Sequence, residues 1–395
     1  MSLRYRMICL ILTLPLLSLV GWSSVGLAGQ PPEPYGRTKP DASAWRIEIA
    51  DDNGGVYPSL ALDSAGLPHV SYGGNQAGTY IYGLKYAYND GSAWQIEMVD
   101  EDMIPGWQTS LALDTLGHPH IAYHEAHEAL RYAHNDGSIW EIEIVDSGSD
   151  VGEDASLELD SGGMPRIAYS DMTSKSIRHA RLVGTEWQTE TVTTMPGAYN
   201  ITLDLALDSA AHPHLCFYDD DPADVTTLRY AYYDGADWQF ETVDSDVSYN
   251  GQECSIALDS ENHPHISYRD LGLWYAHRST SWQVMLVDDD FFAGDTSSLA
   301  LDRLDRPCIA FSDWDTEPPS YDQQLQYACL GSIWQIETVD VASETSRYAD
   351  ESLVLNADDQ PHIAYWDLNP DDLKYAAVPP ICCRIYLPLV VNNVP

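Results

Sequence analysis

Ser110-Leu111-Ala112-Leu113-Asp114-Thr115-Leu116-Gly117-His118-Pro119-His120-Ile121-Ala122-Tyr123 is followed by Leu130-Arg131-Tyr132-Ala133, then by Asp136-Gly137-Ser138-Ile139-Trp140-Glu141-Ile142-Glu143-Ile144-Val145-Asp146. Apolar and polar residues alternate along these runs, which are rich in Ile, Val, Tyr and Trp and are cut by Gly, Asn and Asp. That is the period of strands, not of helices. The same pattern returns in seven copies of roughly fifty residues. Its Asp recurs at Asp63, Asp114, Asp160, Asp208, Asp259 and Asp302, with Asn356 in the seventh copy; its Pro recurs at Pro68, Pro119, Pro165, Pro213, Pro264, Pro307 and Pro361. Units of this kind bury their apolar faces only by stacking on neighbours.

Four strands per copy predict an all-β chain, a seven-bladed β-propeller of four-stranded blades over residues 41–378. A lone fourth strand, Trp45 to Asp51, opens the series, and the last copy stops after its third strand at Leu373-Lys374-Tyr375-Ala376. Pairing the N-terminal strand with the C-terminal blade completes it and leaves no open edge. Three residues past each anchor stands Gly66, Gly117, Gly163, Ala211, Asn262, Asp305 or Asp359, and six of these seven tolerate the left-handed conformation of a tight turn. These turns and the compact Asp-Gly turns between strands three and four fall on one rim. Loops of variable length fall on the other, where binding on rigid scaffolds usually resides.

Residues 1–28 read as a secretory signal peptide: Arg4 and Arg6 precede the apolar run Met7 to Val20, and Gly26-Leu27-Ala28 supplies small residues for cleavage. That run is too short to span a membrane, and no other segment qualifies. Residues 29–40 form a linker, and residues 379–395 a tail containing Cys382 and Cys383. Secretion or display at the cell surface is the expected location, as a monomer. Cleavage removes two positive charges and no acid, moving the net charge from −42 to −44. Such a surface repels phosphate, which excludes nucleic acid and anionic lipid as partners. One disulfide is expected, Cys308 with Cys329: the start of strand two and the end of strand three face each other in an antiparallel hairpin.

The turns Asp90-Gly91-Ser92-Ala93-Trp94 and Asp136-Gly137-Ser138-Ile139-Trp140 resemble the Asp-box, Ser-x-Asp-x-Gly-x-x-Trp, of sialidase-like, BNR-type propellers of secreted bacterial proteins. The resemblance covers residues 41–378 and implies a propeller with those turns between the third and fourth strands. Sialidases of that group grip a carboxylate with three arginines, whereas the variable rim here offers Lys175, Arg269 and Arg347 on three different blades; their Phe-Arg-Ile-Pro motif is absent. Propeller polysaccharide lyases need basic groups of the same kind. Both comparisons argue against those two activities.

His69, His120, His214, His265 and His362 share one repeat position, so they are spread around a ring and cannot converge on one metal; they read as structural. His124 and His127, on the variable loop of the second copy, are better functional candidates. A carboxylate follows the second strand in six copies: Glu125, Asp171, Asp220, Asp270, Asp313 and Asp367. Such a ring suits calcium or another hard cation, although carboxylates also cap turns. Aromatics of the blade-to-blade loops, Tyr57, Trp107, Tyr199, Tyr249, Phe292 and Tyr348, together with Trp314 and Trp366, suit stacking on sugar rings, or else plug gaps between blades. The expected role is a secreted binding module that recognises glycan or a cell-surface protein through the variable rim. A glycoside hydrolase for neutral sugars, using two rim carboxylates, is the enzymatic alternative; a purely structural interaction scaffold is the other.

Overall fold

In the computed structural model, residues 36–37, 45–75, 82–101, 108–125, 129–148, 150–198, 201–221, 225–247, 253–314, 323–341, 348–368 and 370–379 are described. The expected signal peptide, residues 1–28, and the tail with Cys382 and Cys383 lie outside them. The described residues are all-β, and their strands form four-stranded antiparallel sheets, one of which gains Gly36–Arg37, from the stretch expected to be a linker, as a fifth strand parallel to Trp334–Val341. In each, the strand carrying the Leu-x-Leu-Asp motif pairs with the Pro-His strand, as Thr109–Leu113 does with Pro119–Glu125. That strand pairs with Ala129–Asn135, which pairs in turn with Trp140–Ser147. The N-terminal strand Arg46–Asp51 runs antiparallel to Asp372–Ala377, completing the sheet of Tyr348–Leu355 and Pro361–Asp367 as the fourth strand.

Three sets of contacts join each repeat to the next. The first is a series of hydrogen bonds along the first strands. The serine before the Leu-x-Leu run accepts the backbone N–H of the following copy: Leu111 N to Ser59 Oγ at 2.9 Å, Leu157 N to Ser110 Oγ at 2.9 Å, Leu205 N to Ser156 Oγ at 3.2 Å. Asp204 replaces serine in the fourth copy and takes Ile256 N at 2.9 Å. Ser255 takes Leu299 N, Ser298 takes Leu353 N, and Ser352 takes Leu60 N at 3.0 Å, which returns to the first copy. A short side chain is needed because it must turn back on a neighbouring backbone.

The second set clamps the Asp that ends a fourth strand where the next repeat supplies a tyrosine; opposite Asp288 that place is held by Phe311. Tyr123 OH donates to Asp100 at 2.5 Å and Arg131 to the same carboxylate at 2.9 Å, both from the next repeat. Tyr72 and Lys85 hold Asp51, Tyr169 and Arg178 hold Asp146, and Tyr365 and Lys374 hold Asp340. Where Thr193 replaces the aspartate, Phe217 replaces the tyrosine. The hydroxyl donor disappears together with its acceptor, which avoids a buried polar group without a partner. The third set is on the outer strands, where Trp94, Trp140, Trp187 and Trp282 donate their indole N–H to Glu48, Glu97, Glu143 and Glu241 of the preceding repeat.

All seven turn residues adopt positive φ, including Ala211 at 63°. Each turn is capped by the anchor side chain, as Asp63 Oδ1 accepts Ala65 N and Leu67 N at 2.9 and 2.8 Å. Ala211→Gly is therefore expected to raise stability by about 0.5–1 kcal/mol, read as a higher denaturation midpoint with unchanged slope. The expected disulfide is present: Cys308 lies directly opposite Cys329, with Cα atoms 4.1 Å apart. A second bridge, Cys216–Cys254, ties the second strand of one repeat to the first strand of the next. Replacing Cys308 and Cys329 together by alanine should cost about 3 kcal/mol, from the loop freed in the unfolded chain. A denaturation midpoint equal to the parent's would reject that figure.

Candidate functional site

The first strands run from the variable-loop side toward the short turns, and at their starting ends they surround a cavity of about 160 Å³. Its wall is built from three successive positions of the repeat. Hydroxyls of Ser59, Ser110, Ser156, Ser255, Ser298 and Ser352 make one tier, with Asp204 among them. Above it stand Tyr57, Gln108, Asp154, Thr202, Glu253 and Asp350; Glu351 enters between. Tyr57 and Asp350 have φ of 51° and 54°, outside the strand range, and the pairing register shifts beside both. Those kinks re-aim the start of two first strands. Gln108 Nε2 reaches Glu253 Oε1 from another repeat at 3.4 Å.

Electrostatics at this mouth are one-sided. Burial pushes the carboxyl of Glu351 up to about 8, with Asp350 and Asp295 adding repulsion and the Thr296 hydroxyl, 2.6 Å away, opposing it. Burial lifts Asp350 to about 7. Glu253 and Asp154 are raised well above the usual carboxylate range by burial and then by neighbouring acids: Asp350, Asp154 and Glu351 around the first, Asp204 and Glu153 around the second. The phenol of Tyr57 is pushed up to about 12 by burial and by Asp350, Glu253 and Asp154. Toward the short-turn end, Glu158 stands where five other copies have alanine, and burial with Asp204 nearby lifts it to about 8. At neutral pH Glu351 and Glu158 largely hold their protons, so the mouth offers O–H donors as well as acceptors.

The residues expected from sequence are dispersed. Of the described aromatics among them, Tyr57 lines the cavity. Trp107, Tyr199 and Tyr249 lie outside the described residues, and Tyr348 begins a first strand. Phe292 is exposed and packs edge-on against Phe291 with centroids 5.0 Å apart. Trp314 ends a second strand, and Trp366 donates its indole N–H to Asp371 at 2.8 Å. The carboxylates after the second strand are held locally: Glu125 by Arg131 at 2.5 Å, Asp367 by Lys374 at 2.6 Å, and Asp171 by Ser174 N at 2.9 Å. Asp313 is buried, Asp220 lies on a strand opposite Thr226, and the carbonyl of Asp270 takes the Trp274 indole. Among the described residues, no three His, Cys, Asp or Glu side chains converge as metal ligands.

The repeated histidines are structural, as the sequence implied. His69, His120, His214, His265 and His362 each bond through Nδ1 to a tyrosine hydroxyl of the adjacent third strand. Burial lowers His120, His214 and His362 to about 4, so they stay neutral. His124 is fully buried on its strand, and His127 lies outside the described residues. Arg269 is buried against Asp295 and donates to Phe291 O at 3.1 Å; Arg347 lies outside the described residues. The channel carboxylates escaped sequence reading because they precede the repeat's conspicuous motif. Asp154 and Glu158, flanking Ser156 at two-residue spacing on one strand face, are the visible signal.

No protein-family model matches the chain. No curated protein matches it either. Among solved structures, an ulvan lyase, a polysaccharide lyase bound to -[GlcA(1-4)Rha3S]-, superposes with TM-score 0.58 at 11% identity, covering 84% of this chain and 95% of that one. A protein of unknown function from Dyadobacter fermentans gives 0.51 at 8% identity, over 85% and 99%. AofleA from Arthrobotrys oligospora gives 0.50 at 11%, over 76% and 91%. The likeness is one of fold: an all-β chain of four-stranded sheets with propeller-like neighbours.

Proposed function

We propose that the chain is a closed seven-bladed β-propeller, exported from the cell, that binds glycan at the mouth of its central channel. Closure is supported by the series of seven bonds from Ser59 round to Ser352 and Leu60, and by the pairing of Arg46–Asp51 with Asp372–Ala377. Two disulfides are compatible with an extracellular location. The observation that carries the binding reading is the cavity itself. Its volume is close to the roughly 150 Å³ that accepts a six-membered ring, and its wall is hydroxyls, carboxyls and Tyr57. Sugar hydroxyls need both donors and acceptors, and an aromatic face supplies stacking. A glycan array probed with protein lacking residues 1–28 should give binding, and Tyr57→Ala should weaken it by about 1–3 kcal/mol. Parent-like binding by that variant would place the ligand elsewhere.

One observation favours glycoside hydrolysis as a second reading: Glu253 and Asp350 share the mouth, and after burial Asp350 adds most to the cost of ionising Glu253. A carboxyl kept protonated beside an ionisable one is the arrangement a general acid requires. Release of reducing sugar from a glycan that binds, abolished in Glu253→Gln while binding persists, would establish it. Binding without release leaves the protein a lectin-like module.

A further inference from the structure

We infer that the ligand held in this mouth carries a protonated amine, an amino sugar with its nitrogen free; the inference rests on reading the mouth as the glycan site. Five of the lining residues are acids, Asp154, Asp204, Glu253, Asp350 and Glu351, and none is Lys, Arg or His. The contrast with the rest of the fold is sharp. Asp51, Asp100, Asp146 and Asp340 between the repeats each have a lysine or arginine from the next copy. Among the described residues that line the mouth, no side chain plays that part.

Two carboxyl oxygens there are moreover unpartnered. Asp154, 6% exposed, receives Leu203 N on Oδ2 at 3.0 Å, while its Oδ1 has no hydrogen-bond partner. Glu351, 8% exposed, receives the Thr296 hydroxyl on Oε2, while its Oε1 has none. Both belong to the cavity wall. Buried acceptors without donors are costly and mark a place where something else completes the set. A metal ion does not fit, because no three ligand side chains converge among the described residues. A neutral hydroxyl supplies one donor and no charge. An ammonium group supplies three donors and no acceptor, offsets the acids, and favours the face of an aromatic ring such as Tyr57. Its arrival stabilises the ionised carboxylates, so bound protons leave as the ligand enters.

The test is calorimetry on the full propeller with the glucosamine tetramer, its N-acetylated counterpart and spermidine, at pH 6.5 in two buffers of different ionisation enthalpy. The expected result is binding of the glucosamine tetramer at least about tenfold tighter than of the acetylated one, with proton release seen as a buffer-dependent heat. Glu253→Gln and Asp154→Asn should each weaken it by a similar factor while melting no lower than the parent. Equal binding of both tetramers without proton release overturns the amine and leaves the glycan reading in place. Spermidine binding with no sugar bound retains the amine and overturns the glycan reading. Absence of binding by all three overturns both.

Discussion

Asp51→Ala should destabilise the protein by about 3–5 kcal/mol, measured as a lowered urea midpoint. Asp51 sits on the N-terminal strand, and its carboxylate receives the Tyr72 hydroxyl at 2.5 Å and the Lys85 ammonium. The two charged residues are 5% and 4% exposed. Lys85 has further acceptors in the carbonyls of Asn75 at 3.0 Å and Asn53 at 3.3 Å, but no second carboxylate bonds it. Removing Asp51 leaves a buried cation without its counter-charge and a buried phenol without its acceptor. The damage falls where the N-terminal strand meets the first repeat, so it also loosens the junction that completes the last sheet. The double variant Asp51→Ala/Lys85→Met should recover most of the loss, because an apolar pair of similar volume carries no desolvation penalty. A single variant that unfolds at the parent's midpoint would show that the strand is held by backbone pairing alone.

The same clamp marks how far the sequence could be read. Strand pairing, turn chemistry, the end-to-end match of Arg46–Asp51 with Asp372–Ala377 and the Cys308–Cys329 bridge are all relations within one repeat or at its seam. Two-residue periodicity and hairpin register determine them. Relations between repeats were not legible in that way. Cys216 stands on a second strand where two earlier copies have Ala122 and Ala168, and Cys254 precedes the serine of a first strand. Their meeting depends on how adjacent sheets pack, which no hairpin register encodes. The channel carboxylates were missed for a related reason. Asp350 reaches the cavity through left-handed backbone near a strand start, a local departure that a pattern shared by seven copies averages away. Attention to what breaks the repeat would have found part of the site, since Glu158 and Asp204 each stand alone among small residues at their positions.

The contribution of Glu351 to stability should fall as pH rises from about 5 to about 8, contrary to the gain expected of a paired carboxylate. Burial pushes its folded carboxyl from the ordinary 4.5 up to about 8, and the adjacent Asp350 and Asp295 add repulsion. A carboxyl whose folded pKa is raised binds its proton more tightly in the native state. Below the unfolded value both states are protonated and the native fold bears no penalty. Between the two values the unfolded chain releases a proton that the native state keeps, so unfolding gains on every pH step until the folded group also ionises. One such group is worth roughly 5 kcal/mol across that window, with about 1.4 kcal/mol for each unit of pKa. Asp350, raised to about 7, acts in the same direction over a narrower range. Glu351→Gln should therefore match the parent near pH 5 and exceed it increasingly toward pH 8, with thermal unfolding scans at intervals of pH as the measurement. The Thr296 hydroxyl, 2.6 Å from Oε2, keeps an acceptor in the glutamine amide oxygen, so the change removes charge without removing the bond. Parallel curves for variant and parent would mean that Glu351 ionises normally in a mouth wetter than its burial implies. A rising curve for the parent would mean that His120, His214 and His362, held neutral by burial, outweigh the carboxyls of the mouth.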